Sequence, residues 1–107
     1  METATCFKDR DNSFLLTLQK NGVTLTQVEM NAITKFEIKY NGAYYDSVDE
    51  STGFVRDNVN GTVQIKPYEL GLAVSSDKVE LIIYDATNTH GIMWDQFKLD
   101  IKGDVTV

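Results

Sequence analysis

The chain has 107 residues, enough for one domain with a single core and too few for two. Sixteen Asp and Glu against ten Lys and Arg give a formal charge of -6, whose field repels phosphate backbones and anionic lipid surfaces and argues against nucleic acid or membrane partners. A lone cysteine, Cys6, excludes an intramolecular disulfide framework and fits a reducing compartment.

Residues 1–11 contain Glu2, Lys8, Asp9, Arg10 and Asp11, and the apolar run Phe14-Leu15-Leu16 stops at Thr17. No signal peptide is expected; residues 1–11 read as a flexible arm and residues 12–107 as a single domain. The longest apolar run elsewhere, Leu81-Ile82-Ile83-Tyr84, falls far short of the roughly 20 residues of a membrane helix.

Apolar residues recur with period two, the spacing of strands with one buried face. Phe14, Leu16 and Leu18 form the first set, and Phe36, Ile38 and Tyr40 the second, with Lys35, Glu37 and Lys39 on the opposite face as a charged row that discourages edge-to-edge pairing. Val63 and Ile65, then Val79, Leu81 and Ile83, then Phe97, Leu99 and Ile101 continue the pattern. Sustained helical spacing is missing, and Thr, Val, Ile, Tyr and Phe dominate where a helix would use Ala, Glu and Leu.

Asn21-Gly22, Asn41-Gly42 and Asn60-Gly61 each supply the dipeptide that a type I′ turn requires. Asn60-Gly61-Thr62 also matches a glycosylation acceptor, but the turn is the better reading without a secretion route. In Pro67-Tyr68-Glu69-Leu70-Gly71, Pro suits the first helical position and Gly the residue just past the end, so a one-turn helix should carry the chain from one sheet to the other. The class is therefore all-β: an antiparallel β-sandwich of the Greek-key kind with about seven strands and one helical turn at residues 67–71.

Four side chains are candidates for an interaction surface. His90 is the only histidine and Trp94 the only tryptophan; Thr87-Asn88-Thr89-His90-Gly91 reads as a hairpin loop of five or six residues with His90 at its tip. Ile92 and Trp94 are even-numbered whereas Phe97, Leu99 and Ile101 are odd. A one-residue bulge at Asp95-Gln96 would bury Trp94 as a core anchor, and a regular strand would expose it as a binding surface. Tyr44 and Tyr45, being adjacent on a strand, point to opposite faces, and an exposed ring there could stack on a sugar or anchor a protein.

No catalytic constellation is legible. A Cys6–His90 dyad would need residues 84 positions apart, with the thiol in an arm. Residues 46–50 and 57–61 are acidic loops that do not fit the twelve-residue calcium pattern. No metal or cofactor is expected.

The segment Val79-Glu80-Leu81-Ile82-Ile83-Tyr84-Asp85-Ala86-Thr87-Asn88, followed by His90-Gly91-Ile92-Met93-Trp94-Asp95-Gln96-Phe97, resembles the C-terminal hairpin of small proteins encoded in tailed-phage and prophage structural gene clusters. Ile33-Thr34-Lys35-Phe36-Glu37-Ile38-Lys39-Tyr40-Asn41-Gly42 and Asp46-Ser47 are similar to their upstream strand and the turn after it, so the resemblance covers residues 33–101. The N-terminal domains of phage baseplate upper proteins are similar in outline. The resemblance implies an immunoglobulin-like sandwich without catalytic residues, serving as a virion structural or accessory component in contact with other virion proteins or its own copies. It would reside in the virion, or in the host cytoplasm during assembly. The alternative expectation is a carbohydrate- or cell-surface-binding module using Tyr44, Tyr45 and Trp94.

Overall fold

The computed structural model describes residues 3–7 and 12–103. Its strands in chain order are β1 (Thr3–Phe7), β2 (Phe14–Thr17), β3 (Gln19–Lys20), β4 (Val23–Thr24), β5 (Ile33–Tyr40), β6 (Ala43–Asp46), β7 (Phe54–Asp57), β8 (Thr62–Ile65), β9 (Ser75–Asp85) and β10 (Ile92–Lys102). Two short helices, α1 (Gln27–Asn31) and α2 (Pro67–Leu70), and a 3-10 turn at Ser51–Gly53 complete the described elements. A five-stranded sheet in the order β1-β10-β9-β5-β6 faces a three-stranded sheet in the order β2-β8-β7, and β3-β4 forms a separate ribbon. The chain is an all-β sandwich whose two main sheets hold eight strands, close to the seven expected; one pair, β1 with β10, is parallel.

The alternation places the core as the sequence implied. Phe36, Ile38 and Tyr40 on β5, Val79, Leu81 and Ile83 on β9, and Phe97, Leu99 and Ile101 on β10 are all buried, and Val63 and Ile65 on β8 meet them from the other sheet. The Tyr40 hydroxyl sits among them without penalty because it donates to the Leu99 carbonyl at 3.1 Å. No buried side-chain nitrogen or oxygen among the described residues lacks a partner.

Three turn expectations have different outcomes. Asn21 and Asn41 both adopt φ of 53° ahead of glycines at 78° and 79°, the left-handed pair of a type I′ hairpin. At Asn60-Gly61 only the glycine is left-handed, at φ 69°, because β7 and β8 are joined by the wider loop 58–61, organised by Asp57, whose carboxylate accepts from Val59 N and Asn60 N at 3.1 and 3.0 Å. The helical turn α2 forms as read, starting on Pro67 and ending on a left-handed Gly71, and it carries the chain from the small sheet to the large one.

Four expectations are corrected. The arm assigned to residues 1–11 is a strand over Thr3–Phe7, paired in parallel with β10, with Cys6 opposite Ile101 and buried; residues 8–11 lie outside the described residues. Lys35, Glu37 and Lys39 do not guard an edge, since β5 runs between β9 and β6. Leu18, expected to continue the first strand, instead follows its end and is buried, its N–H donating to the Gly61 carbonyl at 2.9 Å. Helix α1 was not foreseen. Its signal is Thr26-Gln27-Val28-Glu29, a capping box in which Glu29 N donates to the Thr26 hydroxyl at 3.2 Å and Thr26 N to the Glu29 carboxylate at 3.0 Å. No described helix is long and apolar enough to cross a membrane.

Candidate functional site

The four singled-out side chains occupy two separate places. Tyr44 and Tyr45 lie on β6, the edge strand of the large sheet, and point to opposite faces as adjacent strand residues must. Tyr45 is paired with Ile38 and packs against the core, whereas Tyr44 is paired with Lys39, is 58 % exposed, and has the Lys39 ammonium 5.6 Å from its ring centroid. His90 is exposed in the loop 86–91 that joins β9 to β10, and Trp94 sits four residues on. Three strand spacings separate β10 from β6, so Trp94 and Tyr44 are at least about 14 Å apart and share no cavity wall.

The bulge that decides Trp94 exists, one step earlier than its parity implied. Met93 pairs with Ile82 and Asp95 with Leu81, which leaves Trp94 as the extra residue. The indole is half-buried and packs against the core, while Ile92 and Met93 before it stay exposed at 39 % and 53 %. The shift returns Phe97, Leu99 and Ile101 to the buried face.

The loop carrying His90 is held largely by the side chain of Asp85. The Asp85 carboxylate accepts from Thr87 N at 3.0 Å, Asn88 N at 2.6 Å and the Asn88 amide at 3.0 Å, and Gly91 N donates back to the Asn88 carbonyl at 3.1 Å. Gly91 is left-handed at φ 84°, and a Cβ there would come within 2.9 Å of the Tyr84 ring and 2.6 Å of Ile82. This loop therefore closes tightly over Tyr84 at Gly91, and His90 beside it is exposed, with no partner among the described residues. The Cys6–His90 pairing is dismissed by register: Cys6 lies beside Ile101, nine residues along β10 from Ile92, or about 30 Å at the rise of a strand. Burial also pushes the Cys6 thiol up, as expected of a small core residue.

Two polar assemblies escaped sequence reasoning. On the outer face of the large sheet, the Tyr84 hydroxyl donates to the Glu37 carboxylate at 2.6 Å, and the Lys35 ammonium lies 4.1 Å from the Tyr84 ring centroid. The Glu37 hydrogen bond, helped by desolvation, pushes Tyr84 up to about 12. Arg56, on β7, spans the two sheets: its guanidinium donates to the carbonyls of Ile33, at 2.9 Å, and Met30, its Nε donates to Asn58 at 2.9 Å, and it lies 5.0 Å from the Phe36 ring centroid. It satisfies carbonyls where α1 ends and β5 begins, a contact between residues 23 and 26 positions apart that no local pattern announces.

Asp46, Asp49 and Glu50 bring carboxylate oxygens within 4.8 Å of one another, the one group of three possible metal-ligating side chains that close among the described residues. Asp46 is already the organiser of its turn, accepting from Val48 N at 2.9 Å and Asp49 N at 2.8 Å. Burial alone would raise its carboxyl, but the Asp49 and Val48 N–H groups and Lys35 outweigh that and hold it below the usual carboxylate range. No protein-family model matches the chain, and no curated protein matches it.

Proposed function

We propose that this chain is a non-enzymatic structural or accessory protein of a phage or prophage virion, working through protein–protein contacts. The observation that carries the reading is the role of the hairpin bearing the resemblance. Strands β9 and β10, eleven residues each, form the middle of the five-stranded sheet, and every other described strand of that sheet pairs with one of them or with β5 beside them. The resemblance therefore falls on the part of the chain that organises the fold rather than on a peripheral ornament. The singled-out side chains support contact over chemistry: Tyr45 and Trp94 serve packing, His90 is exposed in a loop without a partner among the described residues, and Tyr44 is an exposed ring beside a cation. A glycan-binding role has less support, because only one of its three proposed aromatics, Tyr44, offers an open ring.

The test is quantitative mass spectrometry of purified particles of the phage or induced prophage that encodes the chain. The reading predicts a fixed copy number relative to capsid or tail proteins; particles free of the chain would refute it.

A further inference from the structure

The two sheets end differently on their two sides. At one side the edge strands are β6, which ends on Asp46, and β7, which carries Arg56 and Asp57. Such charges are the usual protection of an open edge. At the other side the edges are β1 and β2, and neither contains a charged residue, a proline or a bulge. In a chain of formal charge -6, this is where two copies can approach without bringing carboxylates together along the strands.

Strand β2 is the less covered of the two. Leu15 is 63 % exposed on the outer face, and Phe14 and Leu16, which point inward, are only half-buried. Beside this strand runs a groove of about 540 Å³, walled by Leu15, Leu16, Thr17 and Gln19 on one side and by Gln96 and Phe97 on the other, with Asp95 as its one charged side chain. Pairing with β8 satisfies one edge of β2; among the described residues nothing pairs with the other.

We infer that two copies of this chain associate through their β2 edges, joining their small sheets into one continuous six-stranded antiparallel sheet. The register follows from parity. A two-fold axis normal to the sheet keeps outer residues outer and inner residues inner, so directly opposed residues must both be odd or both be even in number. With the axis at Leu15, Leu15 meets its own copy on the outer surface while Phe14 meets Leu16 of the second copy on the inner one, above the groove floored by Phe97. All three incompletely covered side chains are buried by one operation. An edge of four residues forms at most about four backbone hydrogen bonds and lies below the roughly 1,000 Å² of a tight interface, so the dimer is weak, with Kd of roughly 10 µM to 1 mM. The inference rests on edge geometry and holds whether or not the chain belongs to a virion.

Sedimentation velocity of the full chain from about 10 µM to 1 mM tests it. The wild-type chain should pass from monomer to dimer in that range. Leu15→Lys, which alters an exposed position and should leave the circular dichroism and melting temperature unchanged, should weaken association at least roughly tenfold. A second variant reads the register: Leu15→Cys places two thiols opposite each other at about 4.5–5.5 Å between Cβ atoms. Under a glutathione redox pair it should form the inter-chain disulfide more than roughly tenfold faster than Val55→Cys, on the opposite edge of the same sheet. A wild-type chain that stays monomeric to 1 mM, a dimer that Leu15→Lys leaves intact, equal crosslinking of the two cysteine variants, or pairing of β2 only with a strand of a different protein would each overturn the inference.

Discussion

Phe14 and Phe54 occupy equivalent places on opposite edges of the small sheet: both pair with Ile65 on β8, one from β2 and the other from β7. Yet Phe54 is 7 % exposed and Phe14 is only half-buried. The difference lies in what the chain does next to each. Beside Phe54 the connection from β6 folds back as a 3-10 turn, Lys66 N donates to the Gly53 carbonyl at 2.9 Å, and Gly53 lies so close to Leu70 of α2 that a Cβ would come within 2.3 Å of its side chain. Beside Phe14 there is the Phe97 ring, edge-on at 5.2 Å between centroids, and then an open groove. Pleat and pairing are the same on both sides, so burial at a sheet edge is decided by connections and not by the strand's own pattern.

That contrast can be measured directly. Phe54→Ala should destabilise the monomer by about 3–5 kcal/mol, the cost of a large cavity in a covered site, and Phe14→Ala by about half as much because its site is already partly open. Urea denaturation of dilute protein measures both, and equal losses would mean that the two sides are equally closed. Arg56→Met should cost about 2–3 kcal/mol, since it strands the Ile33 and Met30 carbonyls on the closed side while keeping most of the side-chain volume. Thr26→Ala removes half of the capping box and should cost about 1 kcal/mol in the same assay.

The smallest expected effect is electrostatic and belongs to the outer face of the large sheet. Because Tyr84 holds its proton more tightly when folded, its contribution is fully present below its unfolded value near 10 and is lost as pH rises toward about 12. A spectrophotometric titration should show a tyrosine ionising near 12 that Tyr84→Phe abolishes. Persistence of that component in the variant would assign it elsewhere, with Tyr40, also raised by burial, the first alternative.

The core was legible because a strand with one wet face writes its burial into alternate positions, as Phe97, Leu99 and Ile101 do with Lys98 and Asp100 between them; on β5 the pattern is blurred by Glu37, which is buried too. The turn at Pro67 and the two type I′ turns were legible for a similar reason: backbone chemistry there is set by residues in direct sequence. Strand β1 was not. Its inward residues, Ala4 and Cys6, are small, and the partner that makes it a strand is 95 positions away at the other end of the chain. Arg56 and the Tyr84–Glu37 pair were hidden by the same separation. Of the candidate surface residues, the sequence could state that Tyr44 and Tyr45 diverge and that Trp94 depends on a bulge. It could not locate the bulge, because Met93, Trp94 and Asp95 are equally able to occupy the extra position until Ile82 and Leu81 choose their partners.

Amide hydrogen exchange of β2 at two protein concentrations tests most directly whether this edge is left uncovered by the fold. In dilute protein, alternate amides of Phe14–Thr17 should exchange almost freely while those facing β8 are protected, and at about 1 mM the free set should become protected as well. Full protection of every β2 amide at high dilution would contradict the account, because the edge would then be covered within a single chain.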